Sequence, residues 1–355
     1  MEGMSLEKIK AEKLDGMFSA SSKAVITAHI HPDGDACGCS LALARYLGKR
    51  GVDATVVLPE PVPETLSFIE AGTDVPKILS GTENPEESAA AVGGADLIVC
   101  VDCNSFSRTG VLESLLRTAD CAKVLIDHHL APETECFGLV FSETKISSAC
   151  ELLYEILLMM PDVAGKAGNL PGYCCRALMA GMTTDTNNFA NSVYPSTLAM
   201  ASALLEAGVD RDALLSELYN QYRENRLRLM GYLLHENLKI TEWGVAYMII
   251  DDALAAEFEI REGETEGFVN LPLAIGKVKM SIMLKEDGDG FFRVSVRSKK
   301  GYSSQKCAAA YFHGGGHENA SGGRLFFPGD IASAGEAGSY ITKVTERFFN
   351  DEGYI

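Results

Sequence analysis

Nowhere does the 355-residue chain hold an uninterrupted apolar run near the roughly 20 residues that a membrane-spanning helix requires. A helical membrane protein is excluded on that ground, and no membrane partner is expected. The opening stretch, MEGMSLEKIKAEKLDGMF, lacks the basic start, apolar middle and small-residue cleavage site of a secretory signal, so a cytoplasmic location is expected. In that compartment the 10 cysteines should be free thiols, and most fall inside apolar segments as small core residues. The lone C-x-x-C, Cys100 to Cys103, has no second cysteine pair at zinc spacing, which argues against a zinc site. Positive charge is scarce as well: 31 Lys and Arg stand against 49 Asp and Glu, a formal −18. Long nucleic acid held by broad phosphate neutralisation is thereby disfavoured. Internal repeats and low-complexity tracts are absent, which excludes solenoids and extended disordered segments.

What remains is an ordinary globular composition, 46% hydrophobic, at a length that implies two domains of roughly 100 to 200 residues each. From Lys23 to Asp185 short β-branched runs alternate with helical patterns. KAVITAH, DATVVL, ADLIVCVD and AKVLIDHH are apolar throughout, as strands buried on both faces should be. Helices are expected at CSLALARYLGKRG and at SSACELLYEILLMM, the latter opened by a serine cap. This predicts an α/β domain with a doubly wound, mainly parallel sheet over residues 1–195. Residues 196–238 read as a helical connector whose apolar stretches offer a surface for a homodimer. Residues 239–355 read as a smaller α+β domain, with strands at WGVAYMIID, VKMSIMLKED and FFRVSVRSK, a GDG turn and a final helix packed back on it.

Polar residues gather where the strands of the first domain end: His29, Asp33 and Asp35 after the first, Asp102 closing the third, and Asp127, His128 and His129 closing the fourth. Asp185 follows the helix YCCRALMAGM. Open parallel sheets bind ligands beyond their carboxyl ends, so these groups should converge. Two carboxylates about 4 Å apart repel by roughly 4 kcal/mol at an effective dielectric of about 20. Bound cations resolve that conflict, and an oxygen and imidazole donor set favours Mn²⁺ or Mg²⁺. Taken singly, each position suits a cap or turn residue. Together they do not, because six of the seven histidines fall in HIHPDGD, DHH and HGGGH. The donors suffice for two ions, a pair able to activate water and clamp a phosphoryl group.

The third histidine stretch, HGGGHENASGG, places Gly314, Gly315 and Gly316 where backbone amides can approach a phosphate. Lys277 to Lys306 is locally basic, with 8 Lys or Arg against 3 Asp or Glu, and Arg297 is its best phosphate ligand.

HIHPDGDA, VDCNSFSRTG, IDHH and TTDTNN, in that order, resemble the four motifs of the DHH phosphoesterase superfamily. FRVSVRS followed by GGGHENASGG resembles its DHHA1 domain; the resemblance spans about Lys23 to Arg324, and the length with the DHHA1 partner looks like the bifunctional oligoribonuclease and pAp phosphatase group. The resemblance implies one metal at His29, Asp33 and Asp102 and a second at Asp35, Asp102, His128 and Asp185, with Mn²⁺ expected ahead of Mg²⁺ or Co²⁺. It implies that His129 meets the substrate phosphate, that Asp127 orients the histidines, and that Arg297, Gly314 to Gly316 and His317 hold a terminal nucleotide. Arg108 is a candidate substrate contact or a loop anchor. Cys39 stands where relatives commonly carry serine.

The expected activity is hydrolysis of very short oligoribonucleotides to nucleoside 5′-monophosphates, with dephosphorylation of 3′-phosphoadenosine 5′-phosphate (pAp). Alternatives keep the metals and change the substrate: linear or cyclic dinucleotides, pyrophosphate or polyphosphate. A nucleotide-binding sensor without turnover is the alternative outside enzymes.

Overall fold

Residues 6–72, 75–220, 222–288 and 290–354 are described by the computed structural model. They fall into two compact units, Met1–Gln221 and Tyr222–Ile355.

In the first unit six parallel strands, β1 (Lys23–Thr27), β2 (Asp53–Leu58), β3 (Lys77–Ser80), β4 (Leu97–Val101), β5 (Ala122–Asp127) and β6 (Leu139–Ser142), form a sheet in the order β3-β2-β1-β4-β5-β6. Successive side chains of a strand point to opposite faces, so an all-apolar strand feeds two cores. Ala24, Ile26, Leu97, Val99, Val124 and Ile126 join one core. Val25, Ile98, Cys100 and Leu125, one residue out of step, join the other. The first core is covered by α1 (Leu6–Ala20), α2 (Gly34–Lys49), α5 (Ala149–Leu158), α6 (Gly172–Asp185), α7 (Pro195–Glu206) and α8 (Arg211–Tyr219), and the second by α3 (Pro85–Gly93) and α4 (Glu113–Thr118). The sheet is therefore doubly wound, as expected. Four of its strands are visible as apolar runs; β3 and β6 are edge strands of four residues each, too short to stand out.

The order of the sheet fixes where chemistry can occur. The chain steps outward from β1 to β2 and β3, then returns to lay β4 on the other side of β1. The two loops leaving β1 and β4 consequently diverge, opening a crevice at their carboxyl ends.

The second unit opens with α9 (Glu224–Tyr232) and builds a mixed sheet from β7 (Lys239–Ile240), β8 (Val245–Ile250), β9 (Met280–Asp287), β10 (Phe291–Ser298), β11 (Gly315–Gly316) and β12 (Ala320–Phe326), in the order β11-β12-β10-β9-β8-β7. Only the β8 and β9 pair is parallel. Helix α10 (Asp252–Glu257) sets Leu254 in one core with Leu229 and Phe268, while helices α11 (Ser304–Tyr311) and α12 (Ala337–Asp351) pack on another, the latter through Ile341, Val344, Phe348 and Phe349. Asp289 of the expected GDG turn lies outside the described residues, while the flanking Gly290 amide donates to the Asp287 carbonyl at 3.2 Å. Among the described residues no helix is long and apolar enough to cross a membrane.

Candidate metal centre

Helix α2 begins at Gly34 rather than at the expected Cys39, because Asp33 caps it: its Oδ1 accepts the amides of Asp35 at 3.0 Å and Ala36 at 3.1 Å. Asp35 is thus fixed inside the first turn of a helix instead of in the loop. Its carboxylate, 1% exposed, rests on the amino end of another helix, with Oδ2 accepting the Ala149 amide at 2.6 Å and Oδ1 the Cys150 amide at 2.9 Å. Those are the first two residues of α5, where free N–H groups and the helix dipole both favour a carboxylate.

Helices α2 and α6 must approach closely for this to work. A Cβ on Gly38 would lie 2.6 Å from the Ala177 carbonyl, and one on Gly181 would lie 3.0 Å from Asp35 Oδ1. Asp185, the last residue of α6, is carried toward Asp35 by that contact and sits with Oδ2 3.8 Å from His128 Nε2.

Asp102 follows β4 with φ at 49°, a left-handed conformation that aspartate tolerates better than most residues. Its amide donates to the Ile126 carbonyl at 3.0 Å, extending the β4 and β5 ladder by one rung. The buried side chain has His29 Nε2 3.3 Å from Oδ2 and His128 Nε2 3.3 Å from Oδ1. His29 Nδ1 lies 2.7 Å from the Ile30 carbonyl, and donation there leaves Nε2 as the nitrogen facing the cluster. Asp127 ends β5, fully buried, and binds His129 twice.

Two of the resulting donor groups carry the expected ligands. The ligating atoms of His29, Asp33 and Asp102 lie within 4.8 Å of one another, as do those of Asp35, Asp102 and His128. Asp102 belongs to both. Its Oδ1 is buried with no backbone or hydroxyl donor among the described residues, facing only the ring nitrogens of His128 at 3.3 Å and His129 at 3.6 Å, an acceptor that suits a cation.

The charges show the same need. Burial disfavours a charged His29, yet the hydrogen bond and charge of Asp102 prevail and raise it to about 10; the same balance raises His128 to about 10. Burial raises Asp35 to about 7, helped by the Asp102 charge. Asp185 is pushed well up by burial and then by Asp35, although 31% of its side chain still meets solvent. Asp102 goes the other way: burial opposes its charge, but His128 and His29 hold it well below the usual carboxylate range. Retained protons thus offset the crowded carboxylates, and divalent cations would do so in their place. Burial keeps the neighbouring Cys39 and Cys150 thiols protonated, so the donor set is nitrogen and oxygen, which fits Mn²⁺, Mg²⁺ or Co²⁺.

Other candidates lie elsewhere. His31 pairs with Glu60 at 2.8 Å and His313 with Asp330 at 2.9 Å. Arg108, half-buried, supports the loop after β1 through its carbonyl, which accepts the Ile30 amide at 2.8 Å. In the second unit, burial lowers the Arg297 guanidinium pKa, and its Nη1 donates to the carbonyls of Val296 at 3.0 Å and Ser321 at 3.2 Å. Ser321 is the strand partner of Gly316, so Arg297 and the glycine loop meet there, and the His317 amide donates to the Ala320 carbonyl at 2.8 Å. Gly314 and Gly316 also answer to packing: a Cβ on Gly314 would strike the Gly322 carbonyl, and Gly316 holds φ at 137°. Sequence reasoning missed the α5 amides under Asp35, since backbone donors carry no residue-type mark; the serine cap was the available signal.

Residues 23–182 match the family model described as DHH family, N-terminal domain, and residues 244–336 match that of the DHHA1 domain. A Streptococcus mutans protein named as a probable bifunctional oligoribonuclease and PAP phosphatase, NrnA, is 27% identical over 307 residues, covering 85% of this chain and 89% of that one. The cyclic-di-AMP phosphodiesterase GdpP of Geobacillus thermodenitrificans is 25% identical over 346 residues, covering 96% of this chain and 50% of that one. The crystal structure of an exopolyphosphatase-related protein from Bacteroides fragilis is 30% identical, with a TM-score of 0.88 and 99% of both chains covered.

Proposed function

Because the chain belongs to the DHH family of metal-dependent phosphoesterases and carries a DHHA1 domain, we propose that it hydrolyses very short oligoribonucleotides to nucleoside 5′-monophosphates and dephosphorylates pAp. The observation that carries this reading is Asp102, one buried carboxylate common to two donor groups. His29, Asp33 and Asp102 would hold one divalent ion, and Asp35, Asp102, His128 and Asp185 a second, with Mn²⁺ the expected metal. Bound there, the pair supplies electrophilic stabilisation of the phosphoryl oxygens and lowers the pKa of the attacking water.

The chain's own groups do the rest. Asp127 holds His129 at Nδ1, and in its doubly protonated form the ring would donate from Nε2 to the substrate phosphate or protonate the leaving oxygen. Arg108 stabilises the β1 loop through its carbonyl, and its guanidinium, whose charge is felt at His29, would contact a phosphate oxygen. In the second unit Arg297 has no carboxylate to neutralise it among the described residues, which suits it to a terminal phosphate beside Gly314, Gly315, Gly316 and His317.

Similarity along 96% of the chain to a cyclic-di-AMP phosphodiesterase supports a second reading, hydrolysis of cyclic dinucleotides by the same centre. Product analysis with labelled two- to five-nucleotide RNAs, pAp, cyclic dinucleotides, pyrophosphate and polyphosphate in Mn²⁺ separates the readings. Highest kcat/KM on the short RNAs, with pAp also cleaved, is the expected result; preference for a cyclic dinucleotide or polyphosphate would replace the proposal.

A further inference from the structure

Glu151 is a fully buried carboxylate that lies outside both donor groups, yet it stands one residue beyond the amides that hold Asp35. It occupies the third position of α5, whose cap is Ser148, and the Ser148 hydroxyl accepts the Glu151 amide at 3.0 Å. In a capping box such a glutamate would return to the amide of the cap residue. Here it reaches further. Its Oε2 accepts the Ser147 amide at 3.1 Å, the Ser147 hydroxyl, and the Thr197 hydroxyl at 2.7 Å. Thr197 in turn accepts the Tyr194 amide at 3.1 Å, tying the start of α7 to the start of α5. Ser147, Ser148 and Thr197 are all buried. Oε1 of Glu151 accepts nothing, and no cationic side chain pairs with Glu151 among the described residues.

A buried carboxylate without a cation is costly, and an apolar residue would fill the space more cheaply. What the carboxylate adds is a fixed path for Ser147 and Ser148, and thereby a fixed direction for the Ala149 and Cys150 amides. We infer that Glu151, braced by Thr197, is a positioning residue for the Asp35 metal site. This inference rests on the proposed role of Asp35 as a metal ligand.

The test is Mn²⁺ binding to the full-length protein without substrate, followed by titration calorimetry and by the paramagnetic resonance signal of free Mn²⁺. Asp35→Asn identifies the ion that depends on Asp35. Glu151→Gln should weaken that same ion by roughly 10- to 100-fold and leave the other within about twofold, as loss of an orienting partner does. Thr197→Val should weaken it in the same selective way, and Thr197→Ser should restore it. Thr197→Val keeps the test open if Glu151→Gln does not fold. If Asp35→Asn weakens an ion that both Glu151→Gln and Thr197→Val leave unchanged, or if these two weaken all bound Mn²⁺ equally, the inference is overturned. If Asp35→Asn itself alters no ion, the ligand assignment fails instead, and the inference with it.

Discussion

Asp127 grips His129 at two points: Oδ2 accepts the histidine's backbone amide at 3.0 Å, and Oδ1 lies 2.9 Å from ring Nδ1. The ring is therefore held in one orientation from its Nδ1 side. Asp127→Asn replaces one accepting oxygen by a donor and turns this grip into a conflict. The expected outcome is a roughly 10- to 100-fold fall in kcat with a smaller change in KM. Steady-state kinetics on a dinucleotide in saturating Mn²⁺ checks it; unchanged kcat would show that His129 needs no such orientation.

Asp102 is better probed as Asp102→Asn than as Asp102→Ala. Its φ of 49° is a conformation that asparagine shares, whereas alanine would add backbone strain to the loss of charge. Because both donor groups use this carboxylate, the asparagine variant should weaken both ions and lower kcat/KM by more than roughly 100-fold. Loss of only one ion in calorimetry would remove Asp102 from its shared place.

Metal binding should strengthen with pH. In the metal-free protein His29 and His128 are raised to about 10 and Asp35 to about 7, so near neutral pH these groups hold protons that a cation must displace. The sign follows: fewer protons to displace at higher pH means tighter binding, by about tenfold per pH unit for each proton released. Mn²⁺ titrations at pH 6.5, 7.5 and 8.5, in buffers of differing ionisation heat, read both the affinity and the protons. Equal affinity at all three would contradict this charge balance.

The close contact of α2 with α6 predicts opposite signs for two similar substitutions. Gly38→Ala places a Cβ 2.6 Å from the Ala177 carbonyl and should cost about 1–3 kcal/mol as overpacking. Gly48→Ala, in the same helix with nothing within 4 Å, should stabilise by about 0.5–1 kcal/mol through helix propensity. Thermal unfolding of the two variants against the parent decides it: a stable Gly38→Ala protein would mean the helices can part without loss.

How much of this was legible beforehand depended on what kind of group did the work. His29, Asp33, Asp35, Asp102, Asp127, His128 and His129 could be placed because strand ends are visible as the points where apolar runs stop, and a parallel sheet sends those ends to one side. The structure brings all of them together with Asp185. Legibility failed where the partner is backbone or distant in sequence. The amides beneath Asp35 lie 114 and 115 residues away, and nothing in SSACE marks them as its seat. α1 was equally hidden, since most of its residues between Glu7 and Ala20 face solvent and only Ala11, Leu14 and Phe18 are buried. Short edge strands fail for the same reason: KILS and LVFS bury too little to leave a pattern.

Those edge strands have a bearing on how the protein can change. The donor-bearing loops leave β1, β4 and β5, all internal to the sheet, while β3 and β6 at its margins end in Ser80 and Ser142 and contribute no donor atom to either group. The chemistry is thus insulated from the perimeter. Insertions or fused partners grafted at the β3 margin meet structure without meeting catalysis, so new modules can be acquired there while the ion-holding interior stays as it is.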